Sequence, residues 1–122
     1  MWIEDLKISN FRNYTNQEIK LNKNLNIFYG ENAQGKTNII ESIFLASIGK
    51  SFRSKKDSEL IKFGENFARI EIDFHKSDRD GNIEIGISNK KNININKIKI
   101  KKLSDLLGNI NTVIFTPDDI NI

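Results

Sequence analysis

One string constrains this chain more than any other feature. Gly30-Glu31-Asn32-Ala33-Gln34-Gly35-Lys36-Thr37 stands between the apolar run Leu25, Ile27, Phe28, Tyr29 and a helical pattern that opens at Asn38 and runs to Gly49. This is G-x-x-x-x-G-K-[ST] between a strand and a helix, the context that separates a phosphate-binding loop from a glycine turn capping a helix. The glycines let the chain wrap closely, so that backbone N–H groups converge on phosphate oxygens. The first helical turn adds unpaired N–H groups and a partial positive charge at the same point. Lys36 supplies a full charge for the outer phosphates, and the Thr37 hydroxyl suits Mg2+. The Asn32 amide is placed for the terminal phosphate or an attacking water. The expected nucleotide-binding set is therefore this string together with Asn38.

The rest of the composition bounds the class. A chain of 122 residues is enough for one domain with a modest core. Charged residues are 29% and hydrophobic ones 38%, as in ordinary soluble proteins. The net charge of +3 is compatible with a polyanionic partner without demanding one. There is no cysteine, which excludes disulfides and thiolate metal sites. The start, Met1-Trp2-Ile3-Glu4-Asp5, carries acids where a signal peptide carries basic residues, and no apolar run approaches membrane-spanning length. The expected compartment is the cytoplasm, with no membrane partner.

Along the chain, Leu6 and Ile8 alternate with polar residues, Asn10-Phe11-Arg12-Asn13-Tyr14 follows, and Gln17 to Leu21 alternates again. Arg12 is either a surface arginine or a second cation near the phosphates. In the helix after the loop, Ile39, Ile40, Ile43, Phe44 and Ser47 spread over one broad face, and Asn38, Glu41, Ser42 and Gly49 fall on the other, with Leu45 the exception. The apolar face is expected to pack on a sheet. Gly49 is the expected C-terminal cap residue. Ser51-Phe52-Arg53-Ser54-Lys55-Lys56 reads as a solvated basic loop or as a nucleic-acid contact through Arg53, Lys55 and Lys56. Asp57 to Phe63 suggests a short helix ended by Gly64.

Residues 67–100 read as a β-meander, with an Asp-Gly turn signal at Asp80-Gly81. Ile98 and Ile100 fall out of phase with Ile93 and Ile95, which points to a bulge near Asn96-Lys97. Lys90 to Lys102 holds six lysines and no acid. These lysines either deter edge aggregation, or Lys97 and Lys99 meet neighbouring DNA phosphates. His75, at a strand end, receives no role. Ser104 to Gly108 reads as one capped turn, and Val113 to Phe115 as a strand. Val113 to Asp119 reads either as a strand that offers its acids to Mg2+ or, since Thr116 and Pro117 intervene before Asp118 and Pro117 suits a first helical turn, as a strand followed by a capped helix start, the favoured reading.

Four stretches, Asn10 to Tyr14, Gly30 to Asn38, Ser51-Phe52-Arg53 and Val113 to Asp119, closely resemble in order and spacing the N-terminal part of the bacterial RecF family of DNA replication and repair proteins. The Asn-Ala-Gln centre of the loop carries most of that specificity. The resemblance implies an α/β P-loop NTPase of the ABC/SMC-head type: a mixed β-sheet around the phosphate-loop helix plus an antiparallel β-meander. It implies ATP and Mg2+ as cofactors and an ATP-dependent homodimer. It further implies binding to gapped, junction or single-stranded DNA, help in loading RecA with the partner RecR, and a part in the SOS response. The segments are then 1–66 (strands, loop and helix), 67–103 (meander) and 104–122 (start of the next segment). Family members run to roughly three times a single domain of this size. The ABC-type signature stretch and an acidic Mg2+ strand are missing, so the expectation is an N-terminal fragment that holds half a nucleotide site and does not hydrolyse ATP alone. A nucleotide enzyme of another class, such as a small-molecule kinase, would use the same loop and remains the alternative.

Overall fold

The computed structural model describes residues 2–20, 33–51, 54–76 and 78–110, and for residues 33–36 the backbone alone. Strands β1 (Trp2–Phe11) and β2 (Tyr14–Lys20) precede helix α1 (Ala33–Ile48). A 3-10 turn at Asp57–Leu60 leads to β3 (Ala68–Lys76), β4 (Arg79–Ile87), β5 (Lys91–Ile95) and β6 (Ile98–Lys99), and a second 3-10 turn spans Leu103–Asp105. The strands make one six-stranded sheet in the order β2-β1-β3-β4-β5-β6. Because β1 lies between β2 and β3, the early strands and the later meander share one sheet. Every pairing among the described residues is antiparallel. The strands expected at 25–29 and 112–115, like the turn expected at Pro117, lie outside the described residues.

The alternation in the sequence sets the two faces of the sheet. Leu6, Ile8, Ile70, Ile72, Ile83, Ile85, Ile87 and Ile93 are buried on one face, where α1 packs with Leu45 and Ala46. Each such side chain contributes about 1.5–3 kcal/mol of burial. The other face carries Lys7, Arg69, Glu71, Asp73 and Glu84.

Three expectations need correction. First, the inward side of α1 is only in part the expected one: Ile43 and Ser47 of that face are buried, but so are Asn38, Glu41, Ser42, Leu45 and Ala46, whereas Ile39, Ile40 and Phe44 are half-buried. The polar residues there are hydrogen-bonded, so burying them carries little penalty. Second, there is no bulge at Asn96-Lys97. Both residues have positive φ, 51° and 70°, and Ile95 pairs with Ile98, so the chain reverses there in a two-residue hairpin turn. The reversal returns Ile98 to the same face as Ile95, which looks like a slip in a linear reading. Third, the turn between β3 and β4 precedes Asp80-Gly81: Lys76 pairs with Arg79, and Gly81 already lies within β4. Gly81 leaves room for the Phe74 ring, into which a Cβ would run.

Gly49 behaves as expected. Its φ is +81°, and its N–H donates to the Leu45 carbonyl at 2.7 Å, closing α1. A Cβ there would also meet Leu103. Gly49→Ala should therefore cost about 1–2 kcal/mol from the left-handed backbone alone. Urea denaturation measures it, and a loss of less than a few tenths would show that the cap relaxes freely.

Candidate nucleotide site

Helix α1 opens at Ala33, so Lys36 falls in its first turn and Thr37 directly after. Gly30, Glu31 and Asn32 lie outside the described residues. The backbone of Ala33 to Lys36 is helical, so α1 begins inside the string, ahead of the start expected at Asn38. Asn38 is buried, and its Nδ2 donates to Asn13 Oδ1 at 2.7 Å. This ties the helix to the turn between β1 and β2.

That turn carries the more informative feature. Phe11 pairs with Tyr14, leaving Arg12 and Asn13 at the reversal, and Arg12 has φ +56°. A positive φ is uncommon for a residue of this size, and it persists where surrounding contacts over-determine it. Those contacts are present. Arg12 Nε donates to Glu41 Oε1 at 2.9 Å, and Nη2 donates to Glu41 Oε2 at 2.8 Å. Nη2 also reaches Ser54 Oγ at 2.6 Å, and Nη1 reaches the Glu59 carbonyl at 3.3 Å. The Ser51 hydroxyl donates to Glu41 Oε2, and Ser54 N–H donates to Ser51 Oγ at 3.0 Å. Glu41 is fully buried, 0% exposed. Hydrogen bonding to Glu41 raises the pKa of the Arg12 guanidinium above its ordinary value, against the opposing effect of burial.

Glu41 was missed in the sequence because it sits among polar residues on what looks like a solvent face. The available signal was an acid on a helix that is apolar over much of its circumference. Two main-chain bonds, Arg12 N–H to Leu60 O at 2.8 Å and Lys62 N–H to Asn10 O at 2.7 Å, dock the segment after α1 onto the same turn. Between them an open cavity of about 570 Å3 is lined by Arg12, Asn13, Asn38, Glu59, Ile61 and the fully exposed Phe63. Its lining mixes polar groups with the apolar Ile61 and Phe63, which suits a heteroaromatic ring linked to charged groups.

The expected DNA contacts separate into two places. Arg53 lies outside the described residues. Lys55 and Lys56 are exposed beside Ser54, next to the Arg12–Glu41 network. Lys97 lies in the β5–β6 turn, with Nζ 3.2 Å from Glu71 Oε2 and 3.0 Å from Glu84 Oε1. These bonds, that to Glu84 first, raise the pKa of its ammonium. Lys99 is exposed on the edge strand. Lys91, at the other end of β5, reaches the Gly49 carbonyl at 2.5 Å and Asp57 at 3.3 Å. The sheet therefore separates the Lys97 end from the Lys55 end.

A family model described as an AAA domain matches residues 5–121. The chain is 52% identical over its whole length to the DNA replication and repair proteins RecF of Clostridium acetobutylicum and of Clostridium tetani, spanning 34% of each. It thus spans about a third of the length of the curated relatives it matches. A solved structure of the recombination mediator protein RecF-ATPrS in the RecFOR pathway superposes with a TM-score of 0.89 at 38% identity, over 96% of this chain and 32% of that one. An SMC head bound to the C-winged helix domain of ScpA shares the fold, with a TM-score of 0.76 at 22% identity, over 88% of this chain and 39% of that one. The architecture is that of the RecF and SMC-head P-loop ATPases. No helix among the described residues is long and apolar enough to cross a membrane.

Proposed function

Because this chain belongs to the AAA domain family, in the branch that holds the N-terminal part of RecF proteins, we propose that it forms the ATP-binding part of a DNA replication and repair ATPase. The observation that carries this reading is the opening of α1 at Ala33, which sets Lys36 and Thr37 at the helix start. There the loop amides and the helix end converge on phosphate. The nucleotide set is Gly30 to Asn38, with Thr37 holding Mg2+ and Arg12 lining the cavity. Arg12 already spends most of its donors on Glu41, Ser54 and Glu59. Its part is to fix that wall, with at most one N–H left for the nucleotide.

In a protein of the length of its relatives, this half-site meets a second subunit in an ATP-dependent homodimer on gapped or single-stranded DNA. There it works with RecR in loading RecA and in the SOS response, in the cytoplasm. The Arg12–Glu41–Ser51–Ser54 network gives a route from nucleotide to DNA, since Lys55 and Lys56 follow Ser54 directly. The family match favours this reading over a small-molecule kinase. The test is direct titration of this chain with ATP. Binding that needs Mg2+, with turnover near background, is the expected result. Absence of binding at millimolar ATP, or robust turnover by the chain alone, would overturn it.

The two lysine groups make a separate prediction. In a protein of the relatives' length, Lys55→Gln/Lys56→Gln should flatten the log–log salt dependence of DNA binding by about two units, at roughly 0.9 per phosphate. Lys97→Gln/Lys99→Gln should flatten it by no more than about one, because Lys97 is held by Glu71 and Glu84. Identical slopes in parent and both variants would move the DNA surface away from these lysines.

A further inference from the structure

We propose that Glu4, His75 and Asp80 form a binding site for a first-row divalent cation of the Zn2+ class. The site would clip the start of β1 to the β3–β4 hairpin, away from the phosphate loop. Three adjacent strands supply the donors. Trp2 of β1 stands opposite His75 of β3, and His75 stands opposite Asp80 of β4. Ile3 continues the ladder opposite Phe74, and in regular register Glu4 would pair next. Instead the β1–β3 register shifts between Ile3 and Asp5, leaving Glu4 outside the pairing. A bulge of this kind re-aims a side chain. Here it brings the Glu4 carboxylate to the His75–Asp80 pair.

One ligand atom from each of the three residues lies within 4.8 Å of the other two. His75 Nδ1 is already 2.8 Å from Asp80 Oδ1, so the imidazole and one carboxylate need little movement to share a cation. The imidazole ring is held by stacking on Trp2, with centroids 4.4 Å apart and planes at 26°. A fixed ring lowers the cost of ordering the ligand. One imidazole nitrogen with two carboxylate oxygens suits Zn2+, Ni2+ or Cu2+, while Mg2+ prefers an all-oxygen octahedron that keeps its water. Glu4 and Asp80 are exposed, so water fills the remaining positions and exchange with solvent is open. A cation bound to the folded arrangement alone stabilises it by mass action.

Trp2 is the chain's single tryptophan, so its fluorescence reports on the ring beside it. The tag-free chain is titrated with Ni2+, a paramagnetic quencher, then with Zn2+ in competition and with Mg2+ as control. The expected result is saturable quenching with one equivalent, reversal by Zn2+ and by EDTA, and no effect of Mg2+. His75→Gln should abolish the quenching. Glu4→Gln and Asp80→Asn should each weaken binding by at least about tenfold, the smallest loss that even a supporting partner's removal brings. Far-UV circular dichroism checks that each variant is folded, and a Zn2+-dependent rise in melting temperature, lost in Glu4→Gln, gives a second readout. Unchanged Ni2+ affinity in both carboxylate variants would leave an ordinary surface histidine and overturn the site. So would the absence of saturable quenching.

Discussion

Lys36→Ala is expected to abolish ATP binding while leaving the fold intact. Lys36 falls in the first turn of α1, where the helix end already carries partial positive charge. Without a phosphate, a cation at that point is mildly unfavourable, and alanine is the better helix former. The substitution should therefore leave the melting temperature unchanged or slightly raised. With a nucleotide present, the same lysine is the full charge facing the outer phosphates. Truncating one partner of a desolvated charge pair costs at least about 2 kcal/mol, roughly thirtyfold in affinity. Direct titration of ATP into parent and variant, beside a thermal melt of each, separates the two effects. Equal affinity in the two proteins would remove the phosphate-loop reading, whereas a collapsed melt would make Lys36 structural.

Arg12→Met should destabilise the fold by about 3–5 kcal/mol, the usual cost of breaking a buried ion pair from one side. Glu41 is fully buried, and Arg12 supplies two of its hydrogen bonds. Removing the guanidinium takes two hydrogen bonds from a carboxylate in the core, to which the Ser51 hydroxyl also donates. A single domain has about 5–15 kcal/mol of total stability, so the loss is a large share of it. Replacing both residues, Arg12→Met/Glu41→Met, should recover much of the stability, since an apolar pair of similar volume is often no worse than a buried ion pair. The double-mutant cycle in urea isolates the pair. ATP affinity of the double variant then tests the second role. If the pair fixes the cavity wall, the doubly substituted protein is stable but binds nucleotide more weakly. A single variant within about 1 kcal/mol of the parent would mean that Glu41 finds another partner and the turn is not held as described.

How far the sequence could be read depends on whether a feature is local. The alternation of Ala68, Ile70, Ile72 and Phe74, and of Ile83, Ile85 and Ile87, gave strands whose buried face matches the structure. The period of two is a property of neighbouring residues and survives any tertiary arrangement. Gly49 was legible as a helix terminus for the same reason, because the left-handed cap is set within one turn. The Asn96-Lys97 reversal was not. A chain that turns back after two residues and one that bulges both shift the hydrophobic phase by one. Only the pairing of Ile95 with Ile98 distinguishes them.

By itself the sequence determined the helix that carries Lys36 and Thr37, the faces of the meander strands and the family. Each rests on residue types at short, fixed spacings, where backbone geometry leaves little choice. The tertiary structure alone decided the order of strands in the sheet, the face of α1 that turns inward and the partner of Arg12. Arg12 and Glu41 are 29 positions apart and meet because β1 lies beside β3, the strand on which α1 packs. Glu4, His75 and Asp80 come together because the same strand order sets three chain segments edge to edge. The energy of such meetings comes from burial and hydrogen bonding between distant segments, which a reading along the chain does not contain. A charged residue that is paired and buried therefore looks, in the sequence, like one facing water.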